Sequence, residues 1–157
     1  MRHKTRCWPD SDVSAAGFSL LEIIGVLAII AIVVTLGYPR LATLSSIYRL
    51  EGAARNLAAD LQKTRFRAIA EGTRFQVAFD IGARTYQIQK ETSPGSFAND
   101  GSAKPVDDAN SITILATANP IFTPRGGAQS TSIVTLTARN GAVRLVAVES
   151  PGRVHVQ

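Results

Sequence analysis

The chain has 157 residues, and its 17 Lys and Arg against 12 Asp and Glu give a formal net charge of +5. Its composition, 45% apolar and 18% charged, excludes a disordered or collagen-like chain, and its length fits one domain of ordinary size. One Cys excludes a disulfide framework and a multi-Cys zinc site, and two His leave little material for a His-based centre, so we predict no metal or cofactor.

The first element is an apolar segment, 18–39, whose one charged residue is Glu22. As a helix it would be about 33 Å long, the thickness of the hydrocarbon core of a bilayer. We therefore predict a transmembrane helix over 18–39. Two other interpretations remain open, a cleaved secretory signal and a plain membrane anchor. The residues that follow form a poor small-residue cleavage site, and a plain anchor leaves Glu22 unexplained.

Glu22 favours a third interpretation. A carboxylate inside the hydrocarbon costs about 2.5–3.5 kcal/mol and is usually functional and paired. No Lys or Arg lies within 18–39 to pair with it. Cutting the chain before Phe18 would free an α-amino group one helical turn from Glu22. This amine is well placed to pair with the Glu22 of a neighbouring copy in a stacked bundle.

The junction at the start of this segment reads Gly17-Phe18-Ser19-Leu20-Leu21-Glu22. With the apolar helix that follows, it resembles the class III leader and N-terminal spine of type IV pilins and type II secretion pseudopilins. The resemblance implies that a prepilin peptidase removes the leader, residues 1–17, and methylates the Phe18 amine. It also implies that Glu22 meets the Phe18 amine of an adjacent subunit, and that Pro39 kinks the helix.

The same resemblance implies a location and partners. The chain would insert into the lipid of the bacterial inner membrane by a single span, with its N-terminus cytoplasmic and its C-terminal domain periplasmic. It would then assemble into a filament with other pseudopilins or pilins. The charge of the flanking segments does not set this orientation by itself, because Arg residues follow the span as well as precede it.

Beyond Pro39, apolar residues recur at intervals of three and four, which is the spacing of one helix face. They are Leu44, Ile47, Leu50, Ala54, Leu57, Leu61 and Ala68. This pattern predicts an amphipathic helix over 40–71 with Gly72 as its stop. We expect the apolar face to pack on a sheet.

Residues 72–157 are predicted to form a β domain from their alternating apolar and polar residues. The predicted strands cover 75–79, 86–89, 112–116, 121–123, 132–138, 142–148 and 153–156. Asn140-Gly141 and Ser150-Pro151-Gly152 predict turns, and the composition of 91–111 predicts an exposed loop. The predicted fold class is α+β, a long N-terminal hydrophobic helix packed on a small antiparallel sheet or sandwich.

Three internal motifs narrow the resemblance to the GspH/FimT family. They are the helix end from Leu61 to Ala70, then Phe122-Thr123-Pro124-Arg125-Gly126, and Gly152-Arg153 near the C-terminus. This family resemblance implies a minor pseudopilin at or near the tip of a type II secretion filament, which supports export of folded proteins. The alternatives are a FimT-like minor type IV pilin and, from another class, a membrane-anchored periplasmic enzyme. The chain carries no nucleophile or zinc-protease motif, so we predict no enzyme activity.

DNA is the one binding partner for which the sequence suggests particular contact residues. Arg153 and His155 would share one face of the last strand, with Arg144 as a further cation. Some FimT-type minor pilins bind DNA through a Gly-Arg-x-Arg terminus, and His155 stands here where that pattern has its second Arg. Solubilising charge is the alternative interpretation. For Ca²⁺, the oxygens of Asp107, Asp108 and Asn110 match no complete binding loop, so no metal site is predicted.

Overall fold

The computed structural model describes residues 19–107, 109 and 111–157, and the side chains of residues 36–43 lie outside that description. The predicted leader and cleavage site, 1–17 and Phe18, also lie outside the described residues. The chain divides into two units, Met1–Pro39 and Arg40–Gln157. One helix, α1, covers Leu20–Glu71.

In the first unit, the described part of α1 presents apolar side chains to solvent. Every large apolar side chain between Leu20 and Val34 is exposed. The Thr35 hydroxyl donates to the carbonyl of Ala31 at 2.7 Å, so it satisfies its hydrogen bond within the helix. Pro39 lies within α1, and its kink stays a prediction.

The predicted transmembrane segment, 18–39, extends at both ends beyond the residues whose side chains are described. Over the part of the chain that is described, no helix has an apolar stretch long enough to cross a membrane.

The second unit contains the rest of α1 and nine described strands. These are β1 Phe75–Asp80, β2 Thr85–Ser93, β3 Ser96–Asn99, β4 Lys104–Pro105, β5 Ile112–Ala116, β6 Ile121–Phe122, β7 Ser132–Ala138, β8 Val143–Val148 and β9 Val154–Val156. They form two antiparallel sheets. Sheet A has the order β3-β2-β1-β6, with β4 paired to β2, and sheet B has the order β5-β7-β8-β9. Each strand predicted outside 91–111 is confirmed.

Local turn chemistry sets the main connections. After Glu71, Gly72 takes a left-handed conformation with φ of 61°, which few other residues adopt at low cost, and the helix ends there as predicted. At the β7–β8 hairpin, Gly141 has φ of 81° and its amide donates to the carbonyl of Ala138 at 2.9 Å. The predicted Asn-Gly turn is therefore confirmed.

The predicted exposed loop over 91–111 is wrong in part. β2 continues to Ser93, β3 pairs with it over Ser96–Asn99, and β4 pairs with Thr85 and Tyr86. The Glu91 carboxylate accepts hydrogen bonds from Arg74 and from the amide of Gly95, and the bond from Gly95 closes the turn between β2 and β3. Pairing to an existing strand satisfies the backbone of a polar segment, and composition alone does not report such pairing.

The hydrophobic core joins α1 to both sheets. From the helix it takes Leu50, Ala53, Ala54, Leu57, Ala58, Leu61 and Ala68, and from the sheets mainly Phe75, Val77, Phe122, Ile112, Ile114, Val134, Leu136, Val146 and Val148. Leu44 and Ile47 belong to the predicted apolar stripe but are exposed, so the buried face begins at Leu50. The α+β fold class is confirmed, and the small domain is a two-sheet structure covered by one helix.

Candidate functional site

Glu22 lies in the first turn of α1 and is exposed. The backbone amides of Glu22 and Ile23 donate to the carbonyl of Ser19 at 2.9 and 3.2 Å, which places Ser19 at the start of the helix. A carboxylate in a first turn is favoured by the positive end of the helix dipole. The predicted partner of Glu22, the Phe18 amine, lies outside the described residues, so this pairing stays a prediction.

Arg144 contacts the helix. Its Nε donates to Glu51 at 2.9 Å, and Arg55 pairs with the same carboxylate at 2.9 Å. The hydrogen bonds from Arg144 and then Arg55 hold the pKa of Glu51 below its usual value. This ion pair connects β8 to α1 across 93 positions of sequence.

The structure separates Arg144 from the other two residues predicted to contact DNA, Arg153 and His155. Arg144 shares its face of β8 with the buried Val146 and Val148, because side chains alternate along a strand. His155 lies opposite Ala147 in the β8–β9 register, and therefore on the other face of sheet B. The DNA hypothesis stays a prediction that rests on the exposed Arg153 and on His155.

His155 has a neighbour that sequence reasoning missed. Its Nδ1 lies 3.9 Å from the carboxylate of Glu149, and its Nε2 lies 2.9 Å from the side-chain amide of Gln157. The Ser150-Pro151-Gly152 turn brings Glu149 back beside β9, where the Glu149 amide donates to the carbonyl of Arg153 at 2.9 Å. A carboxylate beside His155 lowers the net positive charge that this end of the sheet offers to phosphate.

A second polar cluster joins α1 to sheet A through Asp60. The Tyr86 hydroxyl and the Lys104 ammonium each donate to its carboxylate at 2.7 Å. Burial, the larger cause, and the hydrogen bond to Asp60 both raise the pKa of Tyr86. An open cavity of about 490 Å³ beside the cluster is lined by two cations and two acids, Arg49, Lys104, Asp60 and Asp107. This balance of charge selects for neither anions nor cations.

Arg67 anchors the end of the helix to sheet A. Its guanidinium lies 4.7 Å from the centre of the Phe75 ring and pairs with Glu71 and Asp100. Lys90 of β2 reaches the same Glu71 at 2.8 Å. Hydrogen bonds from Lys90 and then Arg67 lower the pKa of Glu71. The polar residues of the predicted helix therefore bind the sheets as well as face solvent.

Acid should unfold the protein through its paired carboxylates. Among the carboxylates of the described residues, five have a lowered pKa, namely Glu51, Asp60, Glu71, Glu91 and Asp107. At Asp60 and Asp107 burial raises the pKa, but hydrogen bonds outweigh it. Each such group contributes stability that is fully present above its unfolded pKa and is lost as pH falls through its folded pKa. We expect the melting temperature to hold near neutral pH and to fall steadily below about pH 4.5.

Thermal denaturation of the parent and of Asp60→Asn across pH 3–7 measures this dependence. The variant should be less stable than the parent near neutral pH, and the difference should shrink as pH falls. A constant difference over the whole pH range would contradict the role of the Asp60 charge.

The three internal motifs of the sequence meet at Arg65. Its Nε donates to the carbonyl of Gly126 at 2.6 Å. A Cβ on Gly126 would lie 2.9 Å from Cδ1 of Ile69, and a Cβ on Gly152 would overlap the carbonyl oxygen of Gly126. Gly126 and Gly152 both have positive φ, 81° and 82°. The two glycines therefore let two loops approach the helix and each other at backbone distance. The sequence contains the motif residues, but nothing in it shows that they touch.

Among the described residues, no three His, Cys, Asp or Glu side chains are grouped so as to hold a metal ion. Asp107 accepts hydrogen bonds from the amide and hydroxyl of Ser111, at 3.1 and 2.5 Å. Asp108 and Asn110 lie outside the described residues.

Comparisons with known proteins agree with this architecture. The sequence matches the model of the family described as type II transport protein GspH over residues 53–152. No curated protein sequence gives a significant match. The structure of the minor pseudopilin EpsH from the type 2 secretion system of Vibrio cholerae aligns with a TM-score of 0.60 at 11% identity, over 69% of this chain and 96% of that chain.

The type IV minor pilin FimU of Pseudomonas aeruginosa aligns with the same TM-score of 0.60 at 17% identity, over 73% of this chain and 92% of that chain. At these identities the two structures establish the fold, a helix packed on antiparallel sheets. The family match covers residues 53–71 of α1 and strands β1 to β8, including the Arg65, Gly126 and Gly152 contacts. The chain belongs to the GspH family of type II transport proteins.

Proposed function

We propose that the chain is a minor pseudopilin of a type II secretion system, assembled at or near the tip of the filament to support export of folded proteins. The observation that carries this proposal is the continuous exposure of apolar side chains between Leu20 and Val34, next to a domain of the GspH family. Such a surface is costly in water, at about 25 cal/mol per Å² of apolar area. Membrane lipid before assembly and the helices of other subunits afterwards would cover it.

Processing by prepilin peptidase between Gly17 and Phe18 belongs to the same proposal, as does insertion in the inner membrane with the C-terminal domain in the periplasm. Glu22 would pair with the Phe18 amine of a neighbouring subunit. The role is structural and not enzymatic: α1 forms the filament core and the two-sheet domain presents contact surfaces. The ion pairs that fix the sheets to α1 suit this role, because they resist separation of the domain from the helix that carries it.

Mass spectrometry of the protein purified from its native host tests the processing step. We expect an N-terminus at Phe18 that carries one methyl group, and no residue of 1–17. Gly17→Ala provides the matched variant, because it leaves the apolar helix and Glu22 unchanged while altering the residue at the cut. A native protein that still begins at Met1 would contradict both the processing and the pairing of Glu22.

A minor type IV pilin is the second candidate, and the alignment with FimU, as good as that with EpsH, favours its consideration. Deletion of the gene in the native host separates the two. Loss of a secretion subunit should leave pili intact and retain exported enzymes in the periplasm. Loss of a pilus subunit should instead reduce surface pili and leave export unchanged. The second result would overturn the first proposal but keep the family.

A further inference from the structure

The β7–β8 turn contains the one Asn-Gly pair of the chain, Asn140-Gly141. The other Asn residues are followed by larger residues or by Pro, and they are Asn56, Asn99, Asn110 and Asn119. The Cγ of an Asn side chain is open to attack by the backbone nitrogen of the next residue, which closes a succinimide ring. Glycine as the next residue favours this closure, because it has no Cβ to restrict the backbone.

The structure holds the two reacting atoms of this pair close together. The side-chain oxygen of Asn140 accepts a hydrogen bond from the amide of Ala142 at 3.1 Å. The ring that this bond closes includes both Cγ of Asn140 and the nitrogen of Gly141, so the side chain is folded back towards the backbone. Asn140 and Gly141 are both exposed, and a Cβ on Gly141 would meet no atom within 4 Å. Water and hydroxide therefore have access to both atoms.

One hydrogen bond opposes the reaction. The amide of Gly141 donates to the carbonyl of Ala138 at 2.9 Å, and this bond must open before the nitrogen can attack. It lies at the exposed end of a hairpin, where hydrogen bonds open at a lower free-energy cost than those of the core. The turn therefore slows ring closure but does not prevent it.

We propose that Asn140 is a site of spontaneous deamidation. Hydroxide takes the proton of the Gly141 amide, and the nitrogen then attacks Cγ of Asn140. A new C–N bond forms, the bond from Cγ to the side-chain nitrogen breaks, and that nitrogen leaves as ammonia with a proton from water. Water then opens the succinimide at either carbonyl, which gives Asp or isoaspartate at position 140. Solvent is the one co-reactant, and the proposal does not depend on the role in secretion.

The two products differ in their effect on the hairpin. Each adds one negative charge to a chain whose formal net charge is +5. Arg49 and Arg139 both line a shallow cavity beside this turn, so cations are close to the new carboxylate. Asp keeps the length of the backbone and therefore the turn. Isoaspartate adds a methylene group to the backbone before Gly141, which disrupts the hydrogen bond to Ala138.

Peptide mapping by mass spectrometry tests the proposal on the full chain in detergent, incubated below its melting temperature at neutral and at mildly alkaline pH. We expect Asp and isoaspartate to form at 140 at least about tenfold faster than at any other Asn, because no other Asn precedes Gly. The rate should rise with pH, since hydroxide removes the amide proton. Asn140→Gln is the matched variant: it keeps a neutral amide but needs a larger ring, so residue 140 should stay unmodified.

The same measurement on the chain unfolded in urea tests the effect of the turn. Conversion at 140 should be faster there, because the Gly141 amide is released from Ala138. Absence of Asp and isoaspartate at 140 in the folded chain would overturn the proposal, and so would conversion at 140 no faster than at the other Asn residues. Equal rates in the folded and unfolded chains would overturn the slowing assigned to the hydrogen bond with Ala138.

Discussion

Gly152→Ala is expected to destabilise the protein severely. A methyl group there would overlap the carbonyl oxygen of Gly126 and lie 3.0 Å from Nε of Arg65, so it would displace the hydrogen bond between these two residues. The left-handed backbone of Gly152 adds about 1–2 kcal/mol of strain for any other residue. Overpacking costs about 1–3 kcal/mol more. Together these two costs are a large part of the free energy of unfolding of a typical domain, about 5–15 kcal/mol.

Gly141→Ala is the control that separates strain from overlap. Gly141 has nearly the same backbone, φ of 81°, but a Cβ there meets no atom within 4 Å. We expect the Gly141→Ala variant to lose about 1–2 kcal/mol of its free energy of unfolding, which lowers its melting temperature by a few degrees. Thermal denaturation of the two variants should therefore differ clearly. Equal losses would show that backbone strain alone explains the glycine at 152.

Glu22→Ala is expected to abolish filament incorporation while it leaves membrane insertion intact. The substitution removes an acid from the apolar helix, which on insertion scales favours insertion by about 2.5–3.5 kcal/mol. It also removes the proposed partner of the Phe18 amine in the next subunit. Cell fractionation measures insertion, and immunoblotting of sheared filaments measures incorporation.

Two further variants at Glu22 define the chemistry. Glu22→Gln keeps the shape without the charge and should fail like Glu22→Ala. Glu22→Asp keeps the charge on a shorter side chain and should retain part of the incorporation. Normal incorporation of Glu22→Ala would refute the pairing, and retention by Glu22→Gln would show that shape and not charge is needed.

The carboxylates expected to confer acid sensitivity differ from the one proposed to act in filament assembly. Glu51, Asp60 and Glu71 bind the sheets to the helix, and each is bonded to cations of its own chain. Glu22 has no ion pair with another described residue. Of the acids on α1, Glu22 is therefore the one whose charge remains available to a neighbouring subunit.

The sequence by itself determined most of the elements of this protein. The periods of 3.6 and 2 located the 40–71 part of α1 and the strands outside 91–111. Gly72 and Asn140-Gly141 predicted where the helix and β7 end, because these signals act within a few residues of the chain. The junction from Gly17 to Glu22, with the apolar segment after it, is a local signal too, and it carries the resemblance to type IV pilins and pseudopilins. The local pattern does not show how much of the apolar stripe the sheets cover. Leu44 and Ile47, which belong to the predicted stripe, are exposed.

Only the tertiary structure decided which residues meet. Arg144 binds Glu51, Tyr86 binds Asp60 and Arg65 binds the carbonyl of Gly126. The partners are 93, 26 and 61 residues apart in the sequence. These contacts arise when the two sheets close on the helix, and no local pattern specifies the distance between remote segments. Strand pairing likewise turned part of the polar 91–111 segment into β3 and β4. It also placed Arg144 on the inner face of sheet B, where it reaches Glu51.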